Sequence, residues 1–365
     1  MKIHTYIYSC VALAVLLLTS CGSMGPKSIR AGRMEYNLAL GKSDSEQLLI
    51  NIVKMRFLDR PVFLNITSMT SNLSFQSELS ASTSALFQST TLPISASPSF
   101  TWKDNPTITY QELTGAKYVT QMLSPVPADT IVLLLQSWPA DMVLPLTLNE
   151  INNVNNIWNP IDPNLSSDAL DEHKRFTAIT KSIQQLDSQR TLEWVVARKV
   201  GDINNTIETA ILLNRPNDEI TTAAVQTLID NLGLTKAEKG TTKFSVEYGL
   251  EQKDDSTIVF GTRSVQDILS FASMDVDVPV SMATQALPVE NGWSERASTR
   301  LFHVQTSSTK PNNASIAIQY RNNWFYISEN DLKSKATFLL LQVLMGMQSG
   351  TSSNGTPVLT IPISS

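Results

Sequence analysis

The chain has 365 residues, with 28 basic and 33 acidic side chains and a net charge of −5. This balance excludes the basic surface by which a nucleic-acid-binding protein holds phosphates, so we expect no nucleic-acid partner. Charged residues make up 17% of the chain, below the usual quarter, and hydrophobic residues make up an ordinary 42%. A chain of this length can bury one large core or two ordinary ones.

The chain opens with a secretory signal, in which Lys2 precedes an uncharged apolar run over residues 11–18. The run is too short to span a bilayer. It ends in Leu18-Thr19-Ser20-Cys21, which resembles the lipobox of bacterial lipoproteins. We therefore predict a lipoprotein signal peptide over residues 1–20 and a covalent diacylglycerol and N-acyl group on Cys21. The alternative is an ordinary signal peptide that a cysteine follows by chance.

Lipidation at Cys21 would tether the protein firmly, because each buried methylene of an acyl chain contributes about 0.8 kcal/mol. The next residue is Gly22 rather than Asp, which by analogy with enterobacterial sorting favours the outer membrane. We expect a lipid-anchored outer-membrane protein on the periplasmic face or the cell surface. Cys10 would leave with the signal, so the mature chain would have no disulfide. We expect no cofactor and no metal site.

The first predicted elements are a lipidated tether over residues 21–42 and a helix. Ser43-Asp44-Ser45-Glu46 fits a capping box and predicts that the helix starts there. The apolar residues of the helix recur at helical spacing: Leu48, Leu49, Ile52, Val53 and Phe57. Asp59-Arg60-Pro61 predicts its end, and residues 62–66 are typical of a strand.

Residues 73–102 contain one charged side chain, Glu78, and alternate between apolar and polar positions. The alternation holds at 22 of the 26 positions in residues 73–87 and 92–102, which predicts a β-hairpin with its turn at Ser89-Thr90-Thr91. Its apolar positions form the predicted membrane-facing or partner-facing set: Leu73, Phe75, Leu79, Ala81, Ala85, Phe87, Leu92, Ile94, Ala96, Phe100 and Trp102.

Two environments fit such a hairpin. One is a soluble sheet or a partner protein, with water on the polar side. The other is a lipid bilayer, entered by several copies together, because transmembrane strands alternate in this way and carry aromatic residues at the interfaces. Pro93 and Pro98 argue against the bilayer, since neither has an amide hydrogen for a neighbouring strand. The sequence leaves both environments open.

Further helices and strands follow without strict alternation. Helices are predicted over residues 115–123, 128–136, 167–186 and 218–232, after Ser264, and after Asp331, where the last helix carries Leu332, Ala336, Leu339, Val343 and Met347. Strands are predicted over residues 106–110, 144–151, 192–200, 206–213, 243–248, 257–260, 301–305, 315–320, 324–327 and 357–363. This mixture predicts an α+β fold with mostly antiparallel strands and a protruding, low-charge β-hairpin.

A domain boundary is predicted in the Asn- and Pro-rich stretch NNVNNIWNPIDPN, residues 152–164. We expect an N-terminal α+β domain over residues 43–160, which includes the hairpin, and a C-terminal α+β domain over residues 161–365.

No motif of known catalytic or phosphate-binding chemistry occurs in the sequence. His173 and His303 are interpreted as a surface residue and a strand residue, and Asp254-Asp255 and Asp275/Asp277 as surface turns. The aromatic cluster Trp324-Phe325-Tyr326 is interpreted as part of a strand. We therefore predict that the protein is not an enzyme, with a carboxylate-based hydrolase as the remaining alternative.

Several stretches together resemble a family of uncharacterised lipoproteins and exported proteins of Gram-negative bacteria. They are EQLLINIVKMRFLDRP (residues 46–61), PTITY (106–110), WPAD (138–141), WFYI (324–327) and PVLTIP (357–362). Members of the family carry a Gly/Ser-rich segment before PTITY, where this chain has Ser and Ala. The resemblance implies an envelope role and no particular activity.

The expected function is that of an outer-membrane lipoprotein, a structural or assembly component of a multi-protein envelope complex. We expect protein partners in the envelope and a homo- or hetero-oligomer that forms through the hairpin. The alternative is a membrane-tethered binding module for peptidoglycan, polysaccharide or a secreted partner.

Overall fold

The structure is a computed structural model that describes residues 24–70, 73–82, 95–104, 107–156, 167–198, 207–214, 218–235, 240–287 and 300–349. The predicted signal peptide, the hairpin turn at Ser89-Thr90-Thr91 and the strand over residues 357–363 lie outside these ranges. The described residues form helices and mainly antiparallel strands, which confirms the predicted α+β class.

The elements are numbered in chain order. The helices are α1 (Met24–Arg56), α2 (Gly115–Tyr118, continued by a π-helical turn over Val119–Leu123), α3 (Ala128–Leu135), α4 (Ala140–Thr147), α5 (Ser167–Ser188), α6 (Glu219–Leu232), α7 (Val265–Ser273) and α8 (Leu332–Ser349), with a 3₁₀ turn over Val280–Gln285. The strands are β1 (Leu64–Thr70), β2 (Leu73–Ser82), β3 (Ser95–Asp104), β4 (Thr107–Glu112), β5 (Leu148–Ile151), β6 (Val154–Asn155), β7 (Leu192–Arg198), β8 (Ile207–Leu213), β9 (Thr242–Tyr248), β10 (Thr257–Thr262), β11 (Gln305–Ser307), β12 (Ala314–Tyr320) and β13 (Asn323–Ser328).

One compact unit comprises the described residues of Met1–Arg60, Trp158–Leu170 and Leu269–Gln342. Its sheet has the strand order β11-β13-β12 and is antiparallel throughout. Helix α1 packs on β12, and the ring of Phe57 meets that of Phe325 edge-on at 6.0 Å. The predicted apolar face of the helix is buried, with Leu49, Ile52 and Val53 fully enclosed.

The predicted helix start at Ser43 is wrong, because α1 already runs through this position from Met24. The Ser45 hydroxyl donates to the carbonyl of Gly41 at 2.6 Å, a bond one helical turn back, so it serves the helix interior. Residues 24–42 of the predicted tether are therefore helical.

Helix α8 also orients differently from what its apolar spacing suggests. Phe338, Leu340 and Leu341 are buried, whereas Leu332 and Leu339 are 74% and 51% exposed. Some of the regularly spaced apolar residues thus lie on the solvent-exposed side of the helix.

The second unit comprises the described residues of Pro61–Ile157, Asp171–Ile268 and Val343–Ser365. Its main sheet has the order β6-β5-β10-β9-β8-β7, in which β9 and β10 are parallel and the other neighbours antiparallel. Helix α3 packs on β7, β8 and β9. The predicted apolar face of α5 is confirmed, because Phe176, Ile179, Ile183 and Leu186 are fully buried.

The predicted strand over residues 144–151 is partly wrong. Its first residues belong to α4, which ends at Thr147, and β5 begins at Leu148. Asn152 and Asn153, with φ of 43° and 61°, form the turn that joins β5 to β6. The Asn152 side chain accepts from the Val259 N–H at 2.6 Å and donates to the Leu232 carbonyl at 2.9 Å. The start of the Asn-rich stretch is therefore built into the sheet.

Arg263 fixes the end of this sheet. Its side chain is almost fully buried. The guanidinium donates to the carbonyls of Pro145, Leu146 and Asn156 at 2.7, 3.1 and 3.0 Å and to the side chain of Asn149 at 3.0 Å. It satisfies carbonyls at the end of α4 that have no partner within the helix.

Candidate functional site

The candidate site consists of two antiparallel strand pairs whose strands follow one another along the chain, β1–β4 and β2–β3, together called the ribbon. The change from buried to exposed residues at its base occurs from one residue pair to the next. Phe63 and Leu113 are buried, and the Leu113 N–H donates to the Phe63 carbonyl at 2.8 Å. The next pair along, Leu64 and Glu112, is exposed.

Both strand pairs of the ribbon share one register. Thr70 pairs with Thr107, and three residues further along each strand Leu73 pairs with Asp104. One irregularity occurs in β1, where Thr67 is an extra residue between Ile66 and Ser68. Its hydroxyl donates to the Thr109 carbonyl at 3.2 Å. Such a bulge bends and twists a ribbon without ending it.

The register sorts the ribbon into two chemically distinct faces, because opposed residues of an antiparallel pair lie on the same side. The apolar face consists of the pairs Leu64/Glu112, Ile66/Tyr110, Met69/Ile108, Leu73/Asp104, Phe75/Trp102, Ser77/Phe100, Leu79/Pro98 and Ala81/Ala96. The polar face consists of Asn65/Gln111, Ser68/Thr109, Thr70/Thr107, Ser74/Lys103, Gln76/Thr101, Glu78/Ser99, Ser80/Ser97 and Ser82/Ser95.

The separation between the faces is nearly complete. On the polar face all sixteen residues are polar, and only Glu78 and Lys103 carry charge. On the apolar face thirteen of the sixteen are apolar or aromatic; the exceptions are Ser77, Asp104 and Glu112. A one-residue slip in pairing would mix the two sets, so this pattern specifies the observed register.

The part of the apolar face that belongs to β1 and β4 is open to solvent in the single chain. Tyr110 is 49% exposed and Leu64 is 39% exposed, while Ile66, Met69 and Ile108 are half-buried. Among the strands that the structure describes, β2 and β3 pair only with each other. An apolar face of this kind is typical of an interaction surface.

The register places seven residues of the predicted hairpin set together on the apolar face: Leu73, Phe75, Leu79, Ala81, Ala96, Phe100 and Trp102. The other four, Ala85, Phe87, Leu92 and Ile94, lie outside the described residues, as does Cys21. Whether this face meets a membrane or a protein partner stays a prediction.

The apolar face has a near end that was not predicted from the sequence, formed by Ile66, Met69, Ile108 and Tyr110. The strands over residues 62–66 and 106–110 were predicted, but not their pairing with each other. The bulge at Thr67 is the reason that the shared face was not predicted. It puts Ile66 and Met69 three residues apart, so the apolar residues do not fall on alternate positions.

A cluster of charges lies in the other unit. The His303 Nε2 atom is 2.8 Å from Asp277 Oδ2, and Arg300 lies 3.7 Å from Asp275 and 3.6 Å from Asp277. Asp275 is only 3% exposed, so its interpretation as part of a surface turn is wrong. The side chain of Asp277 is half open to solvent.

The buried side chain of Arg56 interacts electrostatically with this cluster. Its guanidinium donates to the carbonyls of Leu287 at 2.6 Å and Val276 at 3.3 Å, and so holds the chain that follows α7. Burial lowers the pKa of Arg56 to about 10, and the nearby carboxylate of Asp275 opposes that shift. The carboxylate of Asp275 thus partly balances the charge of the buried Arg56 guanidinium.

The remaining residues singled out from sequence also have structural surroundings. Phe325 is fully buried on β13, and the Lys310 ammonium lies 5.6 Å from the ring centre of Trp324. Asp254 accepts from the hydroxyls of Ser256 and Thr257 at 2.7 and 2.8 Å, which lowers its pKa. Within the described ranges, no group of three or more His, Cys, Asp or Glu residues is placed to hold a metal ion.

Comparison with known proteins gave no match among family models, curated proteins or solved structures. The resemblance to envelope lipoproteins therefore stays a prediction. None of the helices in the described part of the chain is long and apolar enough to cross a membrane.

Proposed function

We propose that this protein is a non-enzymatic, lipid-anchored outer-membrane lipoprotein that acts as an assembly component of an envelope complex. The observation that carries the proposal is the ribbon, whose apolar face is exposed at Tyr110 and Leu64 in the isolated chain. The secretory signal and the lipobox-like sequence before Cys21 support the envelope location.

The ribbon is suited to association because its apolar residues come in cross-strand pairs on one side. Burial of such a face would contribute about 25 cal/mol for each Å² of apolar surface removed from water. The polar face adds no second apolar surface, so it would stay hydrated while the apolar face is covered. The ribbon thus offers a partner a single apolar face.

The decisive experiment compares substitutions on the two faces in the full-length chain, expressed in a Gram-negative host. Leu79→Arg with Ala81→Arg alters the apolar face, and Ser80→Arg with Ser82→Arg is the matched control on the polar face. Native gels and cross-linking of membranes should show that the apolar-face variant loses its high-mass assembly, while the control keeps it. Assemblies of equal size and amount in both variants would contradict the proposal.

Deletion of residues 73–104 tests whether the ribbon serves association or folding. We expect the shortened chain to be exported, tethered and folded but monomeric. Global unfolding of this variant would contradict the proposal, because the hairpin would then be part of the core.

The tether is tested separately. The first twenty residues are replaced by a secretory signal that is cleaved without lipid attachment, and Cys21→Ser is introduced. Mass spectrometry of the mature N-terminal peptide should find no acyl groups in this chain and a diacylglycerol with an N-acyl group at Cys21 in the wild type; a wild-type peptide without acyl groups would refute the lipid anchor. Gly22→Asp in the lipidated chain should move the protein from outer-membrane to inner-membrane fractions on a density gradient.

A further inference from the structure

The far part of the ribbon, the β2–β3 pair, has an ordered distribution of charges. Asp104 and Lys103 occur in the first two pairs next to β1 and β4, opposite Leu73 and Ser74. Glu78 lies four pairs further, on the polar face. Beyond it, from Leu79/Pro98 to Ser82/Ser95, no described residue is charged. The sequence of residues 79–102 contains no Asp, Glu, Lys or Arg.

The aromatic residues have a similar order. Phe75 and Trp102 form one cross-strand pair on the apolar face, directly after the pairs that contain Asp104 and Lys103. Aromatic residues, Trp in particular, are enriched where a strand or helix passes from water into lipid. Outward from the charged pairs, the apolar face of the β2–β3 pair therefore presents Asp104, then the Phe75/Trp102 rings, then uncharged residues, while Glu78 lies on the polar face.

The described strand lengths cover most of an apolar membrane band. From the Phe75/Trp102 pair outward, β2 and β3 have eight described residues each. At about 3.3 Å per residue and a tilt near 45°, eight residues cover roughly 19 Å of the apolar band of about 25 Å that transmembrane strands present to lipid.

We propose that the apolar face of the β2–β3 pair lies against the hydrocarbon of a lipid bilayer, with Phe75 and Trp102 at the level of the headgroups. This inference rests on the proposed function, because a bilayer is within reach only if the chain is exported and tethered. It goes further, since it names lipid rather than another protein as the occupant of this face.

The backbone imposes a second requirement. In hydrocarbon the outer edges of β2 and β3 need hydrogen-bond partners, and within the described chain these two strands pair only with each other. Neighbouring copies of the same chain would have to supply those partners at every position except the nitrogen of Pro98, which has no hydrogen to donate. Lipid contact is thereby linked to assembly. A soluble partner protein on the apolar face would leave no such requirement.

Site-specific fluorescence in vesicles tests the proposal. Single cysteines are introduced in the full-length chain on the apolar face (Leu79→Cys, Ala81→Cys and Ala96→Cys) and on the polar face (Ser80→Cys and Ser97→Cys). Each variant is labelled with an environment-sensitive dye and reconstituted in vesicles of phosphatidylethanolamine and phosphatidylglycerol, with or without bromine on the acyl chains. The wild-type chain gives the background from any native cysteine thiol that stays free, and Glu193→Cys on β7 is the control away from the ribbon.

On the proposal, brominated lipid quenches dyes on the apolar face several-fold more than dyes on the polar face or at position 193. Equal and weak quenching at all positions overturns it. Quenching that is absent while dyes on the apolar face are protected from a water-soluble quencher also overturns it and assigns the face to a protein.

The two proposals fail separately. If the apolar-face arginine variant loses its assembly but the wild-type ribbon shows no lipid quenching, the assembly role stands and lipid contact is refuted. If lipid quenching alternates while cross-linking finds no assembly, the apolar face contacts lipid without the partners that the proposed function requires.

Discussion

The ribbon and the six-stranded sheet of the same unit use one sequence pattern in opposite ways. In β8 alternate residues enter the core, and Ile211 and Leu213 are fully buried. In β4 the same alternation leaves Tyr110 49% exposed. Alternation therefore tells which residues share a face, whereas the covering of that face depends on helices such as α3, which packs on β7, β8 and β9.

This comparison predicts that substitutions in the sheet change the stability of the fold and that substitutions in the ribbon change it little. Unfolding of the purified full-length chain by denaturant, followed by tryptophan fluorescence, measures each case below.

The largest effect is expected for Arg263→Leu. The substitution removes a buried cation and leaves the carbonyls of Pro145, Leu146 and Asn156 without this donor, so the free energy of unfolding should fall by about 3–5 kcal/mol. Arg175→Leu, on the exposed side of α5, is the control and should change it by less than about 1 kcal/mol. Equal free energies of unfolding for the two variants would show that Arg263 does not stabilise this end of the sheet.

A smaller effect is expected for Gly261→Ala in β10. A Cβ atom there would lie 2.4 Å from Cγ of Glu150, its neighbour across the strands. We expect a loss of about 1–3 kcal/mol from this overpacking. Adding Glu150→Ala should restore most of the stability, and a double variant as unstable as the single one would show that the contact is not the cause.

Glu150→Gln should give a small gain that depends on pH. Burial raises the pKa of Glu150, so the folded state holds its proton more tightly than the unfolded state does. The ionised side chain therefore costs stability once the pH rises past the ordinary value of 4.5. The variant should be more stable than the wild type at neutral pH and equal to it below that value; a gain that is constant with pH would contradict this cause.

The smallest effect is expected in the ribbon. Leu64→Ser and Tyr110→Ser should each change the free energy of unfolding by less than about 0.5 kcal/mol, because both residues lie on the protein surface. Leu213→Ser in β8 is the matched control and should cost several times more, since Leu213 is fully buried. A large fall in the free energy of unfolding for Tyr110→Ser would show that the ribbon contributes to stability as the sheet does.

Local patterns in the sequence predicted the elements that depend on local structure. The face of α5 through Phe176 and Leu186 follows from helical spacing alone, and the cap of α7 at Ser264 follows from one residue pair, in which Asp267 N–H donates to the Ser264 hydroxyl at 3.1 Å. The helix start at Ser43 was wrong because a capping sequence also fits inside a helix that is already under way.

Contacts between distant segments were beyond prediction. Arg263 bonds to Pro145 and Asn149, more than one hundred residues earlier, and no periodicity signals such a partner. In the ribbon, alternation predicted the apolar set from Leu73 to Trp102. The register that extends it to Tyr110 required the structure, because an extra residue in one strand alone changes the count.

The bulge at Thr67 changes the direction of the ribbon without changing which residues share a face. The flanking pairs Ile66/Tyr110 and Ser68/Thr109 keep their sides, so the added residue turns the arm without inverting its chemistry. A single insertion of this kind would therefore change the direction of the ribbon while its apolar side chains stay on one face.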